Sequence, residues 1–153
     1  MHTRFETVTA AVALALAAAT TASGSVELTG PGTVRIADIQ VKHIHVDVGS
    51  RARGAGDVDI YRQLLFNLRI TAKPIGHADV VCTDTGSDSL SCTGTYFLPK
   101  GKIMVGGVIG SRLIYELAVL GGTGFYANVR GTLTATSLSQ RPPKEFLLFR
   151  LIF

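Results

Sequence analysis

The sequence has no tryptophan, only two cysteines, and, past its first two dozen residues, no apolar run long enough to cross a bilayer as a helix. Two cysteines are too few for a structural zinc site, and no histidine pair stands near them. Lys and Arg outnumber Asp and Glu by 15 to 11, but the bases are scattered, so the clustered positive footprint of a nucleic-acid binder is missing. A serine-hydrolase elbow, a dinucleotide-binding fingerprint, a zinc-deaminase motif and a Cys/His nucleophile pair are missing too. No metal and no cofactor is expected. Helical periodicity is scarce as well: no run after residue 24 repeats its apolar residues every 3.6 positions, which leaves room for few and short helices.

What is present points to one packed domain. A chain of 153 residues with 46% hydrophobic and 17% charged residues can bury a sizeable core and is far from a disordered composition. Arg4 precedes an uncharged Ala, Val and Leu run from Ala10 to Ala19, followed by the small residues Thr20, Ala22 and Gly24. This is the pattern of a secretory signal, with cleavage expected after Ala22 or Gly24. The expected organisation is a signal peptide over 1–22, a linker over 23–33 and one domain over 34–153, in a secreted protein without a transmembrane segment. Cys82 and Cys92 flank Thr-Asp-Thr-Gly-Ser-Asp-Ser-Leu-Ser, a turn-forming stretch between strand-like runs. A cross-strand disulfide is the natural reading in an oxidising compartment. Arg51 and Arg53, in a glycine-rich loop, read as solvated.

The rest divides into about eight short alternating runs separated by Gly, Pro, Asn, Asp and Ser clusters, the pattern of an all-β domain. The runs are Val34 to Gln40, Val41 to Val48, Val58 to Tyr61 or Phe66, Gly76 to Cys82, Leu90 to Leu98, Lys102 to Ile109, Arg112 to Leu120, Thr132 to Leu138 and Glu145 to Phe153. The first two read as one long strand with an irregularity. Ser139 to Lys144 connects the last two. The final run, Phe-Leu-Leu-Phe-Arg-Leu-Ile-Phe, would aggregate as a free edge, and closing the sheet into an antiparallel barrel removes that edge. An open sandwich is the alternative.

Leu117-Ala118-Val119-Leu120-Gly121-Gly122-Thr123-Gly124-Phe125-Tyr126, followed by Val129-Arg130-Gly131, resembles the signature of the allene oxide cyclase and dirigent superfamily of β-barrels. Gly76 to Cys82, Thr95 to Leu98 and Gly101 to Gly107 fall in that family's order and spacing. The resemblance covers about residues 34–153 and is nearest to secreted bacterial members carrying the two cysteines. It implies a closed eight-stranded barrel with an apolar lumen, a trimer as in plant members, and Phe125 and Tyr126 plugging one end. The consecutive glycines are expected in a tight connection with positive φ, and not as a phosphate loop.

Along the second run, His43, His45 and Asp47 share one face and Ile44, Val46 and Val48 the other. Facing inward, the polar set could hold a divalent metal or act as acid and base; facing outward, it is a solvated strand face, the preferred reading. The resemblance singles out Asp47, near a charge-stabilising glutamate of plant cyclases, and Gln63, near a water-holding asparagine. Cys82 falls near a pocket cysteine. Ser50 to Gly56 lacks the plant Ser-Pro segment, which argues against cyclisation of an allene oxide itself. Glu116 matches a dirigent glutamate before the glycine motif, and Asp57, Asp59, Tyr61, Tyr96 and Tyr115 are further lumen candidates by the same resemblance. Asp47, Gln63 and Glu116 are thus the expected catalytic residues, and His45, Tyr61, Tyr96 and Tyr115 the expected ligand contacts. The expected function is a cyclase- or isomerase-like barrel that binds a small apolar metabolite in its lumen and guides ring closure or coupling. A non-catalytic exported barrel that binds a hydrophobic ligand or envelope component, and a purely structural barrel, are the alternatives.

Overall fold

The computed structural model describes residues 31–49, 53–70, 73–110 and 113–153; the expected signal peptide, most of the expected linker and Arg51 lie outside them. Eight strands follow one another: β1 (Pro31–Val46), β2 (Val58–Phe66), β3 (Gly76–Asp84), β4 (Ser89–Leu98), β5 (Gly101–Gly110), β6 (Ile114–Gly124), β7 (Arg130–Gln140) and β8 (Pro143–Ile152). Each pairs antiparallel with the next, and β8 returns to β1, closing the barrel. No helix occurs among the described residues. The terminal β8 lies between β1 and β7, so the apolar edge that the sequence raised as a hazard is paired on both sides.

The first two expected runs are indeed one strand. β1 keeps register with β2 from Ala37 to Gln40, shifts between Gln40 and Lys42, and resumes from Lys42 to Val46. This bulge inserts one residue. Asp38 and Gln40 before it therefore share an inner face with the odd-numbered His43 and His45 after it, which lie opposite the inward Tyr61 and Asp59. Ile44, Val46 and Val48 turn outward and are exposed. The last connection is shorter than expected: β7 runs to Gln140 and β8 starts at Pro143, leaving only Arg141 and Pro142 between them.

The lumen is filled at one end. Leu65, Ile103, Val105, Leu133, Leu147, Phe149 and Leu151 are fully buried there, and Tyr96 meets Phe149 edge to face at 5.2 Å. The β6–β7 connection closes this end. Tyr126 and Val129 are buried in it, and Phe125 packs edge to face on Tyr126 and Phe153. The glycine motif lies inside β6 and not in the turn after it, because Gly121 to Gly124 remain paired with Met104 to Gly101. A side chain at Gly122 would meet the carbonyl oxygens of Lys102 and Tyr126 at 2.5 Å, so the glycine lets the plug fold back onto the strand.

Candidate functional site

At the other end the filling stops. A cavity of about 210 Å³ opens among Asp38, Gln40, Tyr61, Gln63, Val80, Tyr96, Ile109, Tyr115, Leu117, Glu145 and the two cysteines. This is compact beside the roughly 300–1,000 Å³ of common ligand pockets and suits a small molecule. Cys82 and Cys92, directly opposite in register, are disulfide-bonded and form part of its wall.

The floor of the cavity carries two carboxyl groups. Asp38 and Glu145 are register partners on β1 and β8, and the Glu145 backbone N–H donates to Asp38 Oδ1 at 3.0 Å. Tyr115 donates its hydroxyl proton to Glu145 Oε2 at 2.7 Å. Asp38 is only 1% exposed, and burial, reinforced by the negative charge of Glu145, pushes its pKa up to about 8 against the pull of the backbone N–H. Burial also raises Glu145, less the effect of the Tyr115 hydrogen bond, and raises both Tyr96 and Tyr115. Two carboxyls at such close quarters resist joint ionisation, so near neutral pH the pair holds a proton, chiefly on Asp38. Asp38 Oδ2 and Gln63 Oε1 are buried and have no hydrogen-bond partner among the described residues.

A second polar cluster stands at the mouth. Asp59, 1% exposed, accepts on Oδ1 from His43 Nε2 at 2.7 Å and His45 Nδ1 at 2.9 Å, and on Oδ2 from Arg53 Nη2. Burial by itself would raise the Asp59 pKa; the two histidine hydrogen bonds and the Arg53 charge outweigh it and lower it. Asp57 accepts from the backbone N–H groups of Val48 and Gly54 at 2.9 Å each, which lower its pKa and tie down the β1–β2 connection. Arg53 is exposed to solvent, as expected, and is at the same time an ion-pair partner of Asp59 and Asp84. His43 stacks on Tyr61 with ring centroids 4.7 Å apart.

Gln63, Tyr61, Tyr96 and Tyr115 all line the cavity. His45 stands at the rim against Asp59, outside the cavity lining. Asp47 is exposed one residue past β1 and is not among the lining residues. Glu116 lies on the outer wall, exposed, and accepts a hydrogen bond from Thr134 at 3.0 Å. Its neighbours Tyr115 and Leu117 take the inner face, as β alternation requires. Sequence reasoning passed over Asp38 and Glu145. Their signal was an acid continuing an inward series, Val34-Ile36-Asp38 on β1 and Glu145-Leu147-Phe149-Leu151 on β8.

The closed eight-stranded antiparallel topology is a fold that this chain shares with dirigent proteins and Diels-Alderases among solved structures. Among solved structures, pyocyanin demethylase superposes with a TM-score of 0.68 and 25% identity, over 78% of this chain and 99% of that one. A pterocarpan synthase dirigent protein superposes at 0.62 with 17% identity, over 80% and 93%. An exo-specific intermolecular Diels-Alderase superposes at 0.64 with 15% identity, over 79% and 98%. No protein-family model and no curated protein matches the sequence.

Proposed function

We propose that this protein is an exported barrel enzyme of the cyclase or isomerase type. On this reading it takes a small, mostly apolar molecule into the mouth-side cavity and guides its ring closure or coupling. The observation that carries the proposal is the Asp38–Glu145 pair, a buried carboxyl beside a half-buried one in a cavity whose walls are otherwise largely aliphatic, aromatic and disulfide. Burying acids is expensive and a carrier for an apolar ligand has no need of it, whereas an acid that keeps its proton near neutral pH beside one that can accept it is what proton-assisted rearrangement requires. Asp38 delivers the proton, Glu145 with Tyr115 takes one up, and Gln63, Tyr61 and Tyr96 hold the substrate. The narrow wall folds a flexible substrate into one reactive shape and keeps water from the intermediate. The superposed structures include a pterocarpan synthase dirigent protein and a Diels-Alderase, whose names describe bond-forming activities, and this supports the same class of work here.

Export is inferred from the Ala10 to Ala19 run and agrees with a disulfide in the wall. A trimer is inferred by resemblance. The outer row Ile44, Ile60 and Val81, consecutive register partners and all exposed, offers an apolar face for it.

Native mass spectrometry of the protein from its own culture medium, repeated after organic extraction, tests the proposal. A stoichiometric small molecule that an Asp38→Asn variant binds but fails to convert is the expected result, and the same spectrum counts the copies. A bound molecule converted equally well by Asp38→Asn would overturn the catalytic assignment in favour of a carrier or another proton source. An absent ligand together with failure to bind a hydrophobic dye would leave a structural barrel.

A further inference from the structure

Resting on the lumen-binding reading above, we propose that the cavity floor recognises a neutral, one- or two-ring aromatic molecule that carries a hydrogen-bond acceptor and a hydrogen-bond donor on the same edge. Two observations carry this. Asp38 and Gln63 both line the cavity and are more than nine-tenths buried, yet Asp38 Oδ2 and Gln63 Oε1 are without a partner among the described residues. Buried polar atoms are normally satisfied, and orphans in the wall of a cavity mark where a bound group completes the bonding. They are also close. Asp38 is opposite Leu65 and Gln63 opposite Gln40 on the same strand pair, two positions apart on one inner face, so both reach the same edge of a ligand.

The two groups ask for different things. Gln63 Oε1 accepts only, and calls for an N–H or O–H. Asp38, which burial and Glu145 keep protonated at neutral pH, offers an O–H and calls for a carbonyl or ring nitrogen. Among the described residues the lining includes no Lys or Arg, and the Glu145 carboxyl beside Asp38 repels an anion, so phosphates and carboxylates are disfavoured. Three tyrosines and the disulfide share the rest of the lining with aliphatic side chains such as Val80 and Ile109, surfaces that pack well on an aromatic ring. A cyclic lactam fused to a benzene ring has this pattern.

Isothermal titration of the purified chain with 2-quinolone, coumarin and naphthalene tests the inference. Coumarin has the shape of 2-quinolone but a ring oxygen where the lactam has N–H. The wild-type protein is expected to bind 2-quinolone at least tenfold more tightly than coumarin. Gln63→Leu is expected to erase that difference, and Asp38→Leu to weaken both while leaving naphthalene unchanged, with circular dichroism checking the fold. Should Asp38→Leu fail to fold, the wild-type contrast and Gln63→Leu decide the matter. Equal binding of 2-quinolone and coumarin, alongside bound naphthalene, would overturn the donor–acceptor edge and leave the lumen reading standing. Failure of all three probes to bind the wild type would overturn the lumen reading itself.

Discussion

Asp38 keeps its proton near neutral pH because its carboxyl is out of reach of water and beside Glu145. An acid whose folded-state pKa lies above its unfolded value has no effect on stability below the unfolded pKa, near 4. Above that it destabilises progressively until pH reaches the folded value, about 8, since the unfolded chain ionises freely while the folded one holds its proton. Three pH units at about 1.4 kcal/mol each put the loss on the order of 4 kcal/mol at pH 7. Asp38→Asn keeps an oxygen to accept from the Glu145 N–H and removes the titration. Urea unfolding of that variant is expected to show a flatter profile between pH 4 and 8 and greater stability than wild type at pH 7.5; lower stability there would contradict the assignment. The residue was legible as an irregularity in an inward apolar series, but its partner across the closure was not. Asp38 and Glu145 are 107 positions apart and meet only because β8 pairs with β1.

Among the elements, β1 and β6 do the most to place the site. The bulge after Gln40 sets two inward polar pairs on one strand, Asp38 and Gln40 toward the cavity and His43 and His45 toward Asp59 at the mouth. A sequence broken into two alternating runs shows that an irregularity exists. It does not show which way the second run faces, because a one-residue shift reverses every side chain after it. On β6 the glycine motif was visible in the sequence, but its job is close approach within the strand as much as turning. Gly122→Ala would push a methyl group to 2.5 Å from two carbonyl oxygens, whereas Gly110→Ala places its methyl no nearer than 4.0 Å to any neighbour. Thermal unfolding is expected to register a loss of roughly 1–3 kcal/mol for the first, by overpacking, and little for the second. Equal stability of the two variants would mean that the plug does not lean on Gly122.

The whole molecule is a barrel with two unlike halves, a packed end under the Phe125–Tyr126 plug and a hollow end walled in part by the disulfide. The Cys82–Cys92 bridge, with its separation of 10 residues, restricts the unfolded chain over a short loop and is expected to add roughly 2–3 kcal/mol. A Cys82→Ser/Cys92→Ser double variant should therefore melt about 5–10 °C lower. An unchanged melting temperature would mean that the bridge serves the cavity wall and not the fold. Strand count, the alternating pattern and the cysteine pairing were written in local sequence, because period-two hydrophobicity and turn residues act over a few positions, whereas the plug was expected from the resemblance alone. Closure decided the rest. Which acids are buried, that Glu116 stays outside while Tyr115 points in, and that His43 and His45 both reach Asp59 all depend on register between strands far apart in the chain. Proton affinity depends in turn on the burial and neighbouring charge that only the assembled barrel creates.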